Sequence, residues 1–369
     1  MAVVFYGNTL FQAASPPGKT GGGMSRRGTT IAVVGDGTWG TTLALHLHRL
    51  GHRIRWWGAF PAYLKVLDRR RENVKFLPGI PIPRAIRIIP DLLEAVEPAG
   101  LVVLAVPSQH MRSVAHRLKP CACSDTIVVS VAKGIETKTL KRMSQVIQEE
   151  VGVVPVAVLS GPNIASEIAT GQPASSVVAS KEPGLAVRVQ RDFMSERLRL
   201  YTSTDVIGVE LGGALKNPIA IAAGIGDGLG FGANAKAALI TRGVVEMARL
   251  GVAMGAREAT FWGLSGLGDL VTTCLAGRNR WLGQQIGQGR RLSAVLASIP
   301  GVIEGVATTT AACALGRRYH VELPIIEQVS AVLFHRTSPR KALHALMART
   351  PKTEAVPFNQ RRPEIDKPS

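Results

Sequence analysis

The sequence predicts an α/β chain, with an N-terminal domain built on a mostly parallel sheet and an all-helical C-terminal domain behind it. Three observations carry that reading. Short apolar runs rich in β-branched residues alternate with helical stretches from Thr29 onward. The first run leads straight into the glycine-rich loop Gly35-Asp36-Gly37-Thr38-Trp39-Gly40. After about residue 205 the β-branched runs stop, and long stretches rich in Ala, Leu and Gly replace them. Alternating strands and helices imply parallel strands covered by helices on both faces.

The elements follow in order. Thr30-Ile31-Ala32-Val33-Val34 is a continuous apolar run, as a strand covered on both faces requires. Residues 41–50 have helical spacing and stop at Gly51, a residue suited to closing a helix. Arg53-Ile54-Arg55-Trp56-Trp57 reads as a second strand and residues 101–106 as another, ending at Pro107. Residues 126–131 and 156–159 repeat the theme. In the second half, residues 234–250 and 303–315 read as helices. The chain thus divides into an extension at 1–28, a first domain at 29–205, a helical domain at 206–349 and a tail at 350–369. The tail is polar and proline-rich and is expected to be disordered.

Composition narrows the function. A hydrophobic fraction of 46% over 369 residues supports a sizeable core. There is no run of about 18 uncharged apolar residues, so membrane insertion is not expected. The formal net charge of +18 could suit a nucleic-acid partner. However, Arg69-Arg70-Arg71, Arg290-Arg291 and Arg317-Arg318 stand far apart, and no basic tract interleaved with aromatics occurs. No nucleic-acid partner is expected. Four cysteines do not make a disulfide framework, and Cys121 and Cys123 lack the further ligands a zinc site needs. Free thiols in a reducing, cytoplasmic compartment and no metal are expected. Residues 1–28 contain no Asp or Glu. A transit peptide shares that feature, but an unstructured extension or a true start at Met24 is preferred.

Gly35-x-Gly37-x-x-Gly40 lies after a strand and before a helix, the context in which G-x-G-x-x-G holds a dinucleotide. Gly35 permits the tight turn, Gly37 lets a pyrophosphate approach the backbone, and Gly40 allows helix and strand to pack closely. The helix N-terminus then offers free N–H groups to the phosphates. The first domain is therefore read as a Rossmann-type domain using NAD or NADP. An NAD enzyme usually carries an acid about 20 residues on, at the end of the second strand. Here that place is Trp57-Gly58-Ala59, with no acid; Arg53, Arg55, Lys65 and Arg69 are the nearest cations. The preferred cofactor stays open between the two.

The second half carries more specific blocks. They are residues 208–217 (Gly-Val-Glu-Leu-Gly-Gly-Ala-Leu-Lys-Asn), residues 234–243 and Gly266-Leu267-Gly268-Asp269-Leu270 running on to Arg278-Asn279-Arg280. With Val131 to Glu136, Ser160 to Glu167 and Val302-Ile303-Glu304-Gly305, they resemble the NAD(P)-dependent glycerol-3-phosphate dehydrogenase family in order and spacing from about residue 30 to 345. The resemblance implies a Rossmann domain and a helical domain with catalysis in the cleft between them. It implies reversible reduction of dihydroxyacetone phosphate to sn-glycerol 3-phosphate, which feeds phospholipid synthesis, by a homodimer. On it, Lys216 is the general acid/base, with Lys133 and Asp269 as the other polar groups at the substrate. Arg278 and Asn279 bind substrate phosphate, and Gly161 and Asn163 form a loop touching substrate. Thr38, Trp39 and Ala165 face the cofactor, as do Lys133 and Arg278. Val302 and Glu304 add cofactor contacts from the second domain. Some positions depart from the bacterial pattern. Thr38 and Gly277 stand where Ser is common, Ala59 where Arg is common, and Asn163 where Ser or Thr is common. The Gly-Pro-Asn and Gly-Arg-Asn-Arg forms resemble eukaryotic members.

These residue types suit ketone reduction. Hydride arrival creates an alkoxide that must be stabilised and protonated, and the cofactor supplies the hydride. A lysine can do both if burial and a second ammonium lower its pKa from about 10.4 towards neutrality. Asp269 could orient one ammonium, though a helix cap would also explain it. Arg278 offers a planar fork of donors to phosphate. Asn217-Pro218 directly after Lys216 predicts a helix break or kink there, with Asn217 as N-cap. Two other readings remain. One is a two-domain dehydrogenase of 2-hydroxy acids or sugar acids; the other is a non-catalytic NAD(P)-sensing or nucleic-acid-binding protein on the same core.

Overall fold

A computed structural model describes residues 28–121, 125–299, 301–351 and 353–354. The extension expected over 1–28 lies outside them except for Gly28, as do Cys123 and most of the tail expected from 350.

Among the described residues ten strands occur: β1 (Thr30–Val34), β2 (Arg53–Trp57), β3 (Glu72–Asn73), β4 (Leu77–Pro81), β5 (Arg87–Ile88), β6 (Leu101–Leu104), β7 (Ile127–Ser130), β8 (Val156–Ser160), β9 (Ala174–Ala179) and β10 (Leu198–Ser203). Eight form one sheet in the order β10-β9-β8-β7-β6-β1-β2-β5, and β3 and β4 pair as a separate antiparallel ribbon. Every neighbour in the large sheet is parallel except β8 and β9. The sheet is therefore mostly parallel, as expected, with a reversed edge pair.

Side chains of successive strand residues point to opposite faces. Ile31, Val33, Leu101, Val103, Ile127 and Val129 pack into one core, and Ala32, Val34, Val102, Leu104 and Val128 into another. That is why these strands read as unbroken apolar runs. β1 lies between β2 and β6, so the chain leaves it towards opposite sides. In open α/β sheets the ligand crevice opens beyond the carboxyl ends of strands at such a point. The glycine loop and the helix Thr38–Arg49 begin there.

Among the described residues no strand follows Ser203, and the rest is helical. Its axis is the helix Val206–Gly228, hereafter the central helix, capped by Asp205, whose carboxylate accepts from Gly208 N at 2.9 Å. By length and composition alone this helix could cross a membrane, but 89% of its apolar window is buried within the protein. Around it pack the helices Ala233–Ala253, Arg278–Gly287, Glu304–Tyr319 and Pro324–Phe334. The contact with Arg278–Gly287 is backbone on backbone. A Cβ on Gly224 would fall 1.9 Å from the Arg280 carbonyl oxygen, and one on Gly283 would fall 2.0 Å from that of Ile221. Gly228 and Gly287 meet in the same way further along.

The break expected beside Lys216 does not occur. The central helix is continuous through Pro218, and Asn217 is an interior residue rather than an N-cap. Proline inside a helix costs about 3 kcal/mol. Here the helix is buried almost all round, so tertiary packing outweighs that cost. The Asn217 side chain is also taken up by contacts outside the helix: its Nδ2 donates to Lys133 O at 3.3 Å and its Oδ1 accepts from Asn279 at 2.9 Å.

Candidate active site

Lys216 lies in the middle of the central helix and is buried there. Its Nζ donates to Asp269 Oδ1 at 2.6 Å and to Thr273 Oγ1 at 2.6 Å. The other oxygen of the same carboxylate accepts from Lys133 Nζ at 2.7 Å, and Lys133 also donates to Gly161 O at 2.8 Å. One buried carboxylate thus holds two ammonium groups that come from opposite halves of the chain. Side-chain exposure is 17% for Lys133 and 7% for Lys216, so Lys133 is the more accessible of the two. Burial pulls the Lys216 pKa down to about 8, opposed by Asp269 and assisted by Lys133.

Local packing fixes this centre. Asp269 opens the helix Asp269–Leu275, directly after a π-type turn over Leu264–Gly268. That turn lies against the central helix at Gly212, where a Cβ would meet Ser265 O at 2.6 Å. Thr273 stands four residues after Asp269 and so on the same helix face. Asp269 is the shared partner of both lysines and does not cap the helix, whose N-cap is Gly268. Thr273 is a site residue that sequence reasoning missed, although its spacing from Asp269 was a readable signal.

Arg278 and Asn279 open the helix Arg278–Gly287, with Gly277 as N-cap at φ 102°. Among the described residues no hydrogen bond or ion pair engages the Arg278 guanidinium; surrounding protein lowers its pKa, and the Glu304 charge opposes that. Arg280 instead pairs with Asp227 at 2.6 Å. A free guanidinium at a helix N-terminus suits an anion. Asn279 accepts from Gly305 N at 3.0 Å, extending the chain of contacts from Lys133 through Asn217.

Glu304 sends its carboxylate back to the first half. Ser108 N donates to Oε1 at 2.9 Å and Ser108 Oγ to Oε2 at 2.5 Å. Burial raises the Glu304 pKa. Gly134, next to Lys133, makes room for this latch, since a Cβ there would lie 2.3 Å from Ser108 Oγ. Gln109 continues it by donating to Ile135 O at 2.8 Å. The loop carrying Lys133 is thus clamped from both halves, and Ser108 and Gln109 are contributors the sequence did not reveal. Val302 is 37% exposed beside Gly301, which packs on Arg278 and Phe76.

The glycine loop fits a dinucleotide. Gly35 has φ +126°, and a Cβ there would strike Ala105 O at 2.5 Å; one on Gly40 would strike Gly35 O at 2.1 Å. A Cβ on Gly37 would meet nothing within 4 Å, which leaves the approach to the helix N-terminus open. Trp39 Nε1 is buried with no partner among the described residues. Thr38 Oγ1 donates to Phe76 O at 3.0 Å, so the ribbon β3–β4 folds over the loop. Thr42 Oγ1 donates to Ala165 O at 3.1 Å and brings the helix Ala165–Ala169 alongside. Asn163 accepts from Ser176 Oγ at 2.5 Å, while its buried Nδ2 has no partner among the described residues. Arg53 and Arg55 are engaged elsewhere, with Thr30 Oγ1 at 3.1 Å and with Ala95 O at 3.2 Å. Among the described residues no cluster of His, Cys, Asp and Glu could hold a metal.

A glycine loop that fits a dinucleotide, in a chain that also holds a buried lysine–carboxylate–lysine centre, defines a nicotinamide-dependent oxidoreductase of two-domain build. Comparison with known proteins narrows the class. Residues 30–186 match the model of the NAD-dependent glycerol-3-phosphate dehydrogenase N-terminus, and residues 205–344 that of its C-terminus. A relative from Chlorobium phaeobacteroides, glycerol-3-phosphate dehydrogenase [NAD(P)+], is 48% identical over 329 residues, covering 88% of this chain and 98% of its own. The enzyme of the same name from Geobacillus kaustophilus is 47% identical, covering 89% and 97%. The crystal structure of glycerol-3-phosphate dehydrogenase from Coxiella burnetii superposes with TM-score 0.85 at 36% identity, covering 87% of this chain and 99% of that one. The chain belongs to the NAD-dependent glycerol-3-phosphate dehydrogenase family.

Proposed function

We propose that this chain reduces dihydroxyacetone phosphate reversibly to sn-glycerol 3-phosphate with NADH or NADPH, with Lys216 as the general acid/base. The observation that carries the proposal is the buried Lys216–Asp269–Lys133 centre. The nicotinamide supplies the hydride when bound. Gly35, Gly37, Thr38, Trp39 and Gly40 would hold its pyrophosphate end. Lys133, Ala165, Arg278, Val302 and Glu304 would line the remainder. Lys133 and Lys216 polarise the substrate carbonyl oxygen, and Lys216 Nζ delivers the proton that oxygen takes up. With its pKa near 8, Lys216 can give a proton in reduction and accept one in oxidation at moderate pH. Asp269 keeps the two ammonium groups aimed together and limits their repulsion. Arg278, Asn279 and the helix N-terminus bind the phosphate, with Gly161 and Asn163 closing the other side.

The domain boundary falls between β10 and the central helix, near residue 205. The product serves glycerophospholipid synthesis, the assembly is a homodimer, and the location is cytoplasmic. The free thiols of Cys121, Cys274 and Cys313 suit a reducing compartment. The deciding experiment follows reduced-nicotinamide absorbance in purified protein mixed with dihydroxyacetone phosphate and either NADH or NADPH. Oxidation of at least one is expected, and its absence with both refutes the activity.

A further inference from the structure

The end of β2 lacks the acid that holds the adenosine ribose in NAD-specific Rossmann domains, yet a carboxylate stands there. It belongs to Asp36, inside the glycine loop. Gly35 N donates to Trp57 O at 2.8 Å, which joins that loop to the end of β2. A Cβ on Gly58 would fall 2.6 Å from Asp36 Cγ and 2.7 Å from its Oδ2. The Asp36 side chain thus fills the space a side chain at position 58 would occupy. It is 8% exposed, the Ala59 amide donates to its carboxylate, and Oδ2 has no hydrogen-bond partner among the described residues. Lys75 is the cation facing it, and that ammonium lies 5.0 Å from the Phe76 ring centroid. Arg53 and Arg55, two of the other cations nearby in sequence, bond to Thr30 and to the 94–95 segment.

We propose that Asp36 sets cofactor choice, its carboxylate replacing the missing strand-end acid, so that the site favours NAD(H) and disfavours the 2′-phosphate of NADP(H). The glycine at 58 is what lets a residue of the loop reach this place. The partnerless oxygen is itself closed to solvent, so the carboxylate acts on the ribose site through its charge and not through direct contact. A 2′-phosphate instead brings negative charge against a poorly solvated carboxylate, which is strongly unfavourable. This inference rests on the proposed use of a nicotinamide dinucleotide but not on the identity of the reaction.

The test is direct binding of NADH and NADPH by calorimetry to the full chain and to Asp36→Asn, which keeps an acceptor for the Ala59 amide and removes the charge. The wild-type chain is expected to bind NADH more tightly. In Asp36→Asn the ratio of the two dissociation constants should shift towards NADPH by about ten-fold. An unchanged ratio, or equal loss of both affinities, assigns Asp36 to loop structure alone and overturns the proposal. Asp36→Ser serves if the asparagine variant does not fold. Should neither fold, wild-type protein that binds NADPH as tightly as NADH overturns it, and tighter NADH binding supports it. Turnover of dihydroxyacetone phosphate is measured separately. Its failure would refute the activity and leave the binding ratio readable.

Discussion

Replacing Gly224 with alanine tests whether the spacing between the proton-transfer centre and the phosphate anchor is set by backbone contact. The added methyl would lie 1.9 Å from Arg280 O and 2.8 Å from Gln284 N, and neither is a side chain that can swing aside. Restoring ordinary contact at 3.4 Å requires the helix Arg278–Gly287 to retreat by about 1.5 Å. That retreat breaks the 2.9 Å bond between Asn279 and Asn217, and it carries Arg278 away from Lys216. Overpacking of this kind costs about 1–3 kcal/mol, which lowers the thermal midpoint by several degrees. Misplacement of about 1 Å at a reacting centre can cost about 100-fold in rate. Purified Gly224→Ala should therefore melt lower, raise KM for dihydroxyacetone phosphate by about ten-fold or more, and lower kcat/KM by about 100-fold. Gly287→Ala, whose methyl would meet Ile225 O at 2.5 Å at the far end of the contact, should lower stability with a smaller kinetic effect. A folded Gly224→Ala enzyme with wild-type KM and kcat would show that this contact does not position the site.

Other expected outcomes follow from the same geometry. Lys216→Ala should lower kcat by about 1,000-fold or more. In the wild-type enzyme, reduction should decline and oxidation rise as pH passes about 8, where the buried ammonium loses its proton; profiles with no inflection near that pH would count against the assignment. Arg278→Ala should raise KM for the phosphorylated substrate by about 10–100-fold with a smaller change in kcat, because charge-assisted hydrogen bonds to a remote anchor are lost. Glu246 is buried and accepts from Ile325 N at 2.7 Å, and burial raises its pKa to about 7 from 4.5. The native state binds this proton more tightly than the unfolded chain, so the contribution is fully present below about pH 4.5 and lost as pH rises through about 7. Its size is of the order of 3 kcal/mol. Glu246→Gln should flatten the dependence of the melting midpoint between about pH 5 and 8, and a wild-type slope in the variant would refute this.

What the sequence disclosed was local. β1 and the glycine loop were readable because a doubly covered strand must be apolar throughout and because each glycine answers a short-range need. Gly35 takes a positive φ, and Gly40 lies against Gly35 O. The reversed pair β9 and β10 was not readable. Ala174-Ser175-Ser176-Val177-Val178-Ala179 mixes small and polar residues, and the direction of a strand depends on its connection. Lys216 was singled out through its block of neighbours and not through its own chemistry. Of the break or kink expected beside Lys216, the break did not occur, because a local rule about proline was outweighed by burial that only the assembled fold supplies. The Ser108–Glu304 latch joins residues 196 positions apart, and the π-type turn before Asp269 has no sequence signature. Asp36 went unremarked because its meaning lies in facing Gly58, not in its place within the loop.

A single aspartate shared by two lysines has a consequence for turnover. With both amines protonated the trio carries one net positive charge, which draws in the doubly charged ester. If Lys216 gives up its proton to the new alcohol, as proposed, the trio is neutral. The same event that completes the chemistry thereby loosens the electrostatic grip on the departing anion, and reprotonation from water re-arms the attraction for the next molecule.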